Sequence, residues 1–73
     1  MKHRKYLVVI ERAEDGSYSA YVPDLPGCVA CGQDTAKQAK SLIREAIEVH
    51  IEGLMEDGQP VPEPSTQAEY VVA

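Results

Sequence analysis

Thr35-Ala36-Lys37-Gln38-Ala39-Lys40-Ser41-Leu42-Ile43-Arg44-Glu45-Ala46-Ile47-Glu48-Val49-His50-Ile51-Glu52-Gly53-Leu54-Met55-Glu56-Asp57-Gly58 is the stretch from which the fold is read. Thr35 and Gln38 have the spacing of a capping box, in which each side chain satisfies an orphan amide of the first turn. Ala36, Ala39, Ile43, Ala46, Ile47, His50 and Leu54 then fall on one helical stripe, with Leu42 and Ile51 at its edges. Gly58 is suited to the position after the helix, and Pro60 stands just beyond. At 1.5 Å rise this makes a helix of about 33 Å, a long element for so short a chain.

Working back towards the N-terminus, residues 5–12 are β-branched and aromatic and predict a strand. Tyr6, Val8 and Ile10 fall on one face and Leu7 and Val9 on the other, so both faces are apolar and a central position in the sheet is expected. Ala13-Glu14-Asp15-Gly16 supplies turn chemistry, and residues 17–22 alternate as the second arm of a hairpin. Pro23-Asp24-Leu25-Pro26-Gly27 reads as a rigid corner, followed by a short strand, Cys28 to Cys31, that Gly32 ends. Beyond the helix, Pro60, Pro62 and Pro64 exclude helix and central strand, and residues 67–72, ending in Tyr70-Val71-Val72, are expected as a last strand. The order is β-β-β-α-β: an α+β fold with a curled, mainly antiparallel sheet and one long helix on a face. Residues 1–73 form a single domain without internal repeat.

Charge narrows the function classes. The net charge is −5 over 73 residues, which argues against a phosphate-binding surface. Residues 1–44 hold all seven Lys and Arg against five acids, and residues 45–73 hold seven acids and no Lys or Arg. The C-terminal half is therefore the expected docking face for a basic partner. With no Trp or Phe and only two Cys, so small a core barely offsets the entropy of ordering the chain, and self-association is expected. No apolar run is long enough to span a bilayer, and the basic start is followed by too few apolar residues for a signal peptide. A cytoplasmic protein with reduced thiols is expected.

Two prolines in a corner would be a weak signature alone. Pro23-Asp24-Leu25-Pro26-Gly27-Cys28-Val29, then Gly32 and Thr35, the helix tail Glu45-Ala46-Ile47 through His50-Ile51 to Leu54, and Glu56-Asp57-Gly58 with Pro60, Pro62, Glu63, Pro64 and Ser65 together resemble the N-terminal domain of HicB antitoxins. The resemblance runs from about Tyr6 to Val72. It implies a partial RNase H-like fold, homo-oligomerisation as dimer or tetramer, and neutralisation of a small basic HicA-like mRNA interferase by direct binding. Many members of that family carry a further C-terminal helix-turn-helix or ribbon-helix-helix. This sequence ends at Ala73, so direct DNA binding is not expected. A solitary, toxin-free oligomer is the alternative reading.

Glu45, Glu48, Glu52 and Glu56 form an acidic stripe whose i,i+4 pairs repel, and acids end the helix while Lys37 and Lys40 begin it, against the macrodipole. That locally unfavourable pattern makes the stripe a candidate partner surface, with a solvated face as the plain alternative. Tyr21, Asp24 and Leu25 are candidate partner contacts at the corner, with an Asx-turn as the plain role of Asp24. Cys28-Val29-Ala30-Cys31 lies in a strand, so its thiols point to opposite faces and are expected as buried structural residues, without redox or zinc chemistry. His50 is expected to pack with one hydrogen-bond partner. Glu11, Glu45 or Glu48, and Glu69 suggest a degenerate Mg²⁺ nuclease only weakly, because apolar residues stand where the first strand would place a ligand. Lys2, Arg4 and Lys5 are the basis of a further alternative, weak RNA binding. No catalytic residue, metal ligand or cofactor is expected.

Overall fold

The structure, a computed structural model, describes residues 4–73. Three strands precede one helix: β1 Val9–Arg12, β2 Tyr18–Tyr21, β3 Val29–Gln33 and α1 Ala36–Glu56. The sheet is antiparallel in the order β1-β2-β3 and is not closed, an α+β fold as expected. Val9 pairs with Tyr21 and Arg12 with Tyr18, and across the next ladder Tyr21 pairs with Val29 and Ala20 with Ala30.

Each connection is held by the chemistry the sequence offers it. In the hairpin, Gly16 takes φ +87° and donates to the Ala13 carbonyl, while Asp15 Oδ1 accepts from the backbone N–H and hydroxyl of Ser17. These bonds hold the Asp15 carboxyl below its ordinary pKa. The corner folds back through Leu25 N–H to the Val22 carbonyl and Cys28 N–H to the Leu25 carbonyl. The third strand does not stop at Gly32. It runs to Gln33 through a register shift, with Gly32 at φ +74°, the backbone a bulge requires.

The helix caps are local and legible. Thr35 Oγ1 accepts from the Gln38 N–H, and Gln38 Oε1 accepts from Asp34 N–H, one residue earlier than a standard capping box. At the far end Gly58, at φ +69°, donates to the Met55 carbonyl and Gln59 donates to the Leu54 carbonyl, a Schellman motif.

The helix lies on one face of the sheet. Ala20, Val22, Cys28 and Ala30 from the sheet side, Leu25 from the corner, and Ala39 and Ile43 from α1 form the buried core. Ala20 and Ala30 are directly opposed, and these short side chains let the helix approach closely. Tyr6, Val8, Tyr18, Ala46, Ile47 and Ile51 pack around this centre.

Two expectations are corrected. The first strand is an edge strand and β2 is the central one, because nothing pairs with the outer edge of β1 among the described residues. The cause is the second correction: residues 67–72 form no strand. Residues 60–66 cross beside Arg4 and Tyr6, ahead of β1, to Asp24 in the corner, and the tail beyond them is exposed.

Candidate protein-docking site

The sheet alternation decides where Tyr21 points. Its neighbours Ala20 and Val22 are buried towards α1, so Tyr21, 39% exposed, lies on the opposite, outer face of the sheet. There it stands in a row with its ladder partners Val9 and Val29. Cys31 is also exposed, whereas Cys28 is buried. The expectation that both thiols are buried thus holds for one only. Burial raises the pKa of the Cys28 thiol.

On α1 the residues facing the sheet are centred on Ala39 and Ile43. Glu45, Glu48, Glu52 and Glu56 are all exposed, and the 100° step between helix residues puts them on the side away from that core. Among the described residues the only ion pair joins Arg4 and Glu63, at 3.7 Å, so none of the four carboxylates is neutralised by a salt bridge there. Among the described residues, then, no ion pair relieves their mutual repulsion. The first turn holds no acid and the last no base, so the macrodipole opposes the charges at both ends.

The corner behaves differently from its sequence reading. Leu25 has 0% exposure and is among the largest fully buried side chains. Pointing into the core, it is unavailable to a partner, which corrects the contact expected of it. A lone leucine set among Pro, Asp and Gly was the available sign of an anchor. Asp24 is not the acceptor of an Asx-turn either. Its carboxylate accepts from Ser65 N–H (2.9 Å) and Oγ (3.0 Å) and from Thr66 N–H (3.1 Å) and Oγ1 (2.7 Å). The backbone bond from Ser65 and those from Thr66 stabilise the ionised form and pull its pKa down to about 2.

Asp24 thus holds a strap formed by residues 60–66. The Tyr6 hydroxyl donates to the Pro62 carbonyl, and Arg4 meets Glu63. Burial raises the pKa of the Tyr6 phenol, against the attraction of Arg4. Sequence reasoning missed this strap because its partners, from Asp24–Ser65 to Arg4–Glu63, are separated by 41 to 59 positions. Between β1 and α1 lies an apolar groove of about 500 Å³, floored by Tyr6, Val8, Ile10, Ile43 and Ile47, with Lys40 and Arg44 at its rim.

His50 is half-buried with no side-chain hydrogen bond among the described residues. Glu11, Glu45, Glu48 and Glu69 do not converge: among the described residues no three His, Cys, Asp or Glu side chains come together as a metal site. Lys2, one of the three basic residues of the RNA alternative, lies outside the described residues. No helix among the described residues is long and apolar enough to cross a membrane. The predicted contacts therefore separate: Tyr21 on the outer sheet face, the four glutamates on the outer helix face, Asp24 in the strap and Leu25 in the core.

A two-layer α+β module with an exposed acidic helix face is what fold and site define. The family model described as "HicB_like antitoxin of bacterial toxin-antitoxin system" matches residues 6–73, and the chain belongs to that family. It is similar to an uncharacterized 14.9 kDa protein of the rep-hol intergenic region of Haemophilus phage HP1, with 41% identity over 66 residues, 90% of this chain and 48% of the phage protein. A UPF0150 protein of Synechocystis is 47% identical over 57 residues, 78% of this chain and 71% of that protein. A UPF0150 protein of Thermoplasma acidophilum is 45% identical over 58 residues, 80% of this chain and 83% of its own. The chain spans about half the length of the phage relative.

Proposed function

We propose that this chain is a non-catalytic antitoxin module of the cytoplasm that binds a small basic HicA-like mRNA interferase and covers its RNA-binding surface. It would work as a homo-oligomer, without cofactor and without contacting DNA itself. Membership in an antitoxin family supports a toxin partner. The observation that carries the reading is the stripe Glu45, Glu48, Glu52 and Glu56, exposed, away from the core and unpaired among the described residues. A surface that repels itself gains most from a cationic partner, which removes the repulsion and complements the negative helix end. An RNA-cleaving protein must carry cationic side chains where phosphates bind, and the same side chains are the natural counterpart of this stripe. Tyr21 lies on the other layer and is proposed as a secondary contact, for a partner that wraps around the sheet edge.

The test is co-purification of the chain with the small basic protein encoded beside it, followed by an RNA-cleavage assay with and without the chain. The proposal expects a complex whose affinity falls steeply with salt and cleavage that stops on binding. A basic neighbour that shows no binding at low salt would remove it.

A further inference from the structure

The sequence of β1 and the structure around it disagree in an instructive way. Tyr6, Val8 and Ile10 on one face and Leu7 and Val9 on the other give β1 and the residues leading into it the composition of an interior strand, yet one edge of β1 is unpaired among the described residues. Beside that edge the apolar groove against α1 stands open. An unpaired edge next to apolar surface is a template for another strand. The same chain carries a segment that matches it. Residues 67–73 are exposed throughout, and Tyr70, Val71 and Val72 have almost no protection from solvent. Fixed by Asp24 at Ser65 and Thr66, this tail leaves the domain without lining its own groove.

We propose that residues 67–72 of one chain add as a fourth strand to the free edge of β1 in a second copy, reciprocally, with Tyr70 and Val72 seated in the groove between β1 and α1. Alternation puts Ala68, Tyr70 and Val72 on one face of such a strand, which is apolar throughout, and the groove floor of Val8, Ile43 and Ile47 is its counterpart. By the same alternation Glu69, the one charged side chain of the segment, lies with Val71 on the opposite face, so no charge is buried in the groove. The segment spans about 20 Å as a strand, enough to cover the whole of β1. Because each copy offers one tail and one groove, exchange about a two-fold axis leaves neither unfilled.

The inference rests on the self-association proposed above and gives it a definite interface. Light scattering on the full chain and on the double variant Tyr70→Lys, Val72→Lys tests it. Both side chains are exposed in the single copy, so the variant should keep the wild-type circular dichroism while its dimer dissociates at least about tenfold more readily. In the wild type, amide exchange at residues 68–72 should slow as protein concentration rises. A dimer that the lysines do not weaken would overturn strand exchange alone, leaving self-association through another face. A wild type that stays monomeric, whether these amides are protected or not, would overturn the exchange and the self-association together.

Discussion

Asp24 and Thr66 are 42 positions apart and are joined by two hydrogen bonds, Thr66 N–H to Oδ2 at 3.1 Å and Thr66 Oγ1 to Oδ1 at 2.7 Å. With the pair from Ser65 they make one carboxylate the fastening point of the whole C-terminal strap.

That fastening has a pH dependence of known sign. The folded-state pKa of Asp24 is depressed from 3.8 to about 2, so its contribution is fully present above pH 4 and is lost as pH falls through about 2. Asp24→Asn replaces one acceptor oxygen by a donor that opposes the Ser65 and Thr66 donors. We expect the amides of Ser65 and Thr66 to exchange markedly faster in this variant at neutral pH, with the helix amides unchanged. Equal exchange rates in both proteins would show that the carboxylate is not what holds the strap.

Core substitutions should grade with burial. Ile43 is fully buried, and Ile43→Ala is expected to cost about 2 to 5 kcal/mol, enough to unfold so small a domain. The groove residue Ile47 is only partly buried, so Ile47→Ala should fall at or below the lower end of that range. Urea titrations followed by circular dichroism measure both, and a larger loss for Ile47 would contradict the packing.

Reversing Glu48 and Glu52 to Lys should leave folding intact, since both side chains are exposed and neither has an ion-pair partner among the described residues. At i,i+4 the double reversal keeps a like-charge pair between positions 48 and 52, sets the new lysine at 48 against Arg44 and relieves only the pair with Glu56, so little net change in stability is expected. Binding of a basic toxin should weaken by a factor of ten or so, about 1.4 kcal/mol. Unchanged affinity would reduce the stripe to a solvated face.

The two thiols should separate cleanly. Cys31 is exposed and Cys28 is buried with its pKa raised. One equivalent of a thiol reagent should react promptly with the folded protein and the second only on unfolding. Simultaneous reaction of both would place Cys28 outside the core.

What the sequence made legible was local. Thr35 and Gln38, Gly58 and the hairpin turn announce themselves because the residues that bond are within five positions of one another, and the α+β class follows from them. Sheet order was not legible. Whether β1 is central depends on what sits at its far edge, and its own side chains record only that both faces are apolar. The acidic stripe was readable from helical spacing, but its separation from Tyr21 was not, because that depends on which face of the sheet the helix covers. Leu25 and Asp24 were misjudged for one reason. The corner looks like a solvent loop until the core beneath it and the strap beside it are present.

The strap also fixes the sequence of events when the domain loosens. Hairpin, corner and helix caps bridge few residues and close at small entropic cost, whereas the strap contacts of Asp24, Tyr6 and Arg4 close more than 40 residues each and cost more. Contacts of that kind belong to the least protected tier of a native state, opening while the core stays shut. The final residues can therefore come free and re-engage without the chain ever visiting its denatured ensemble.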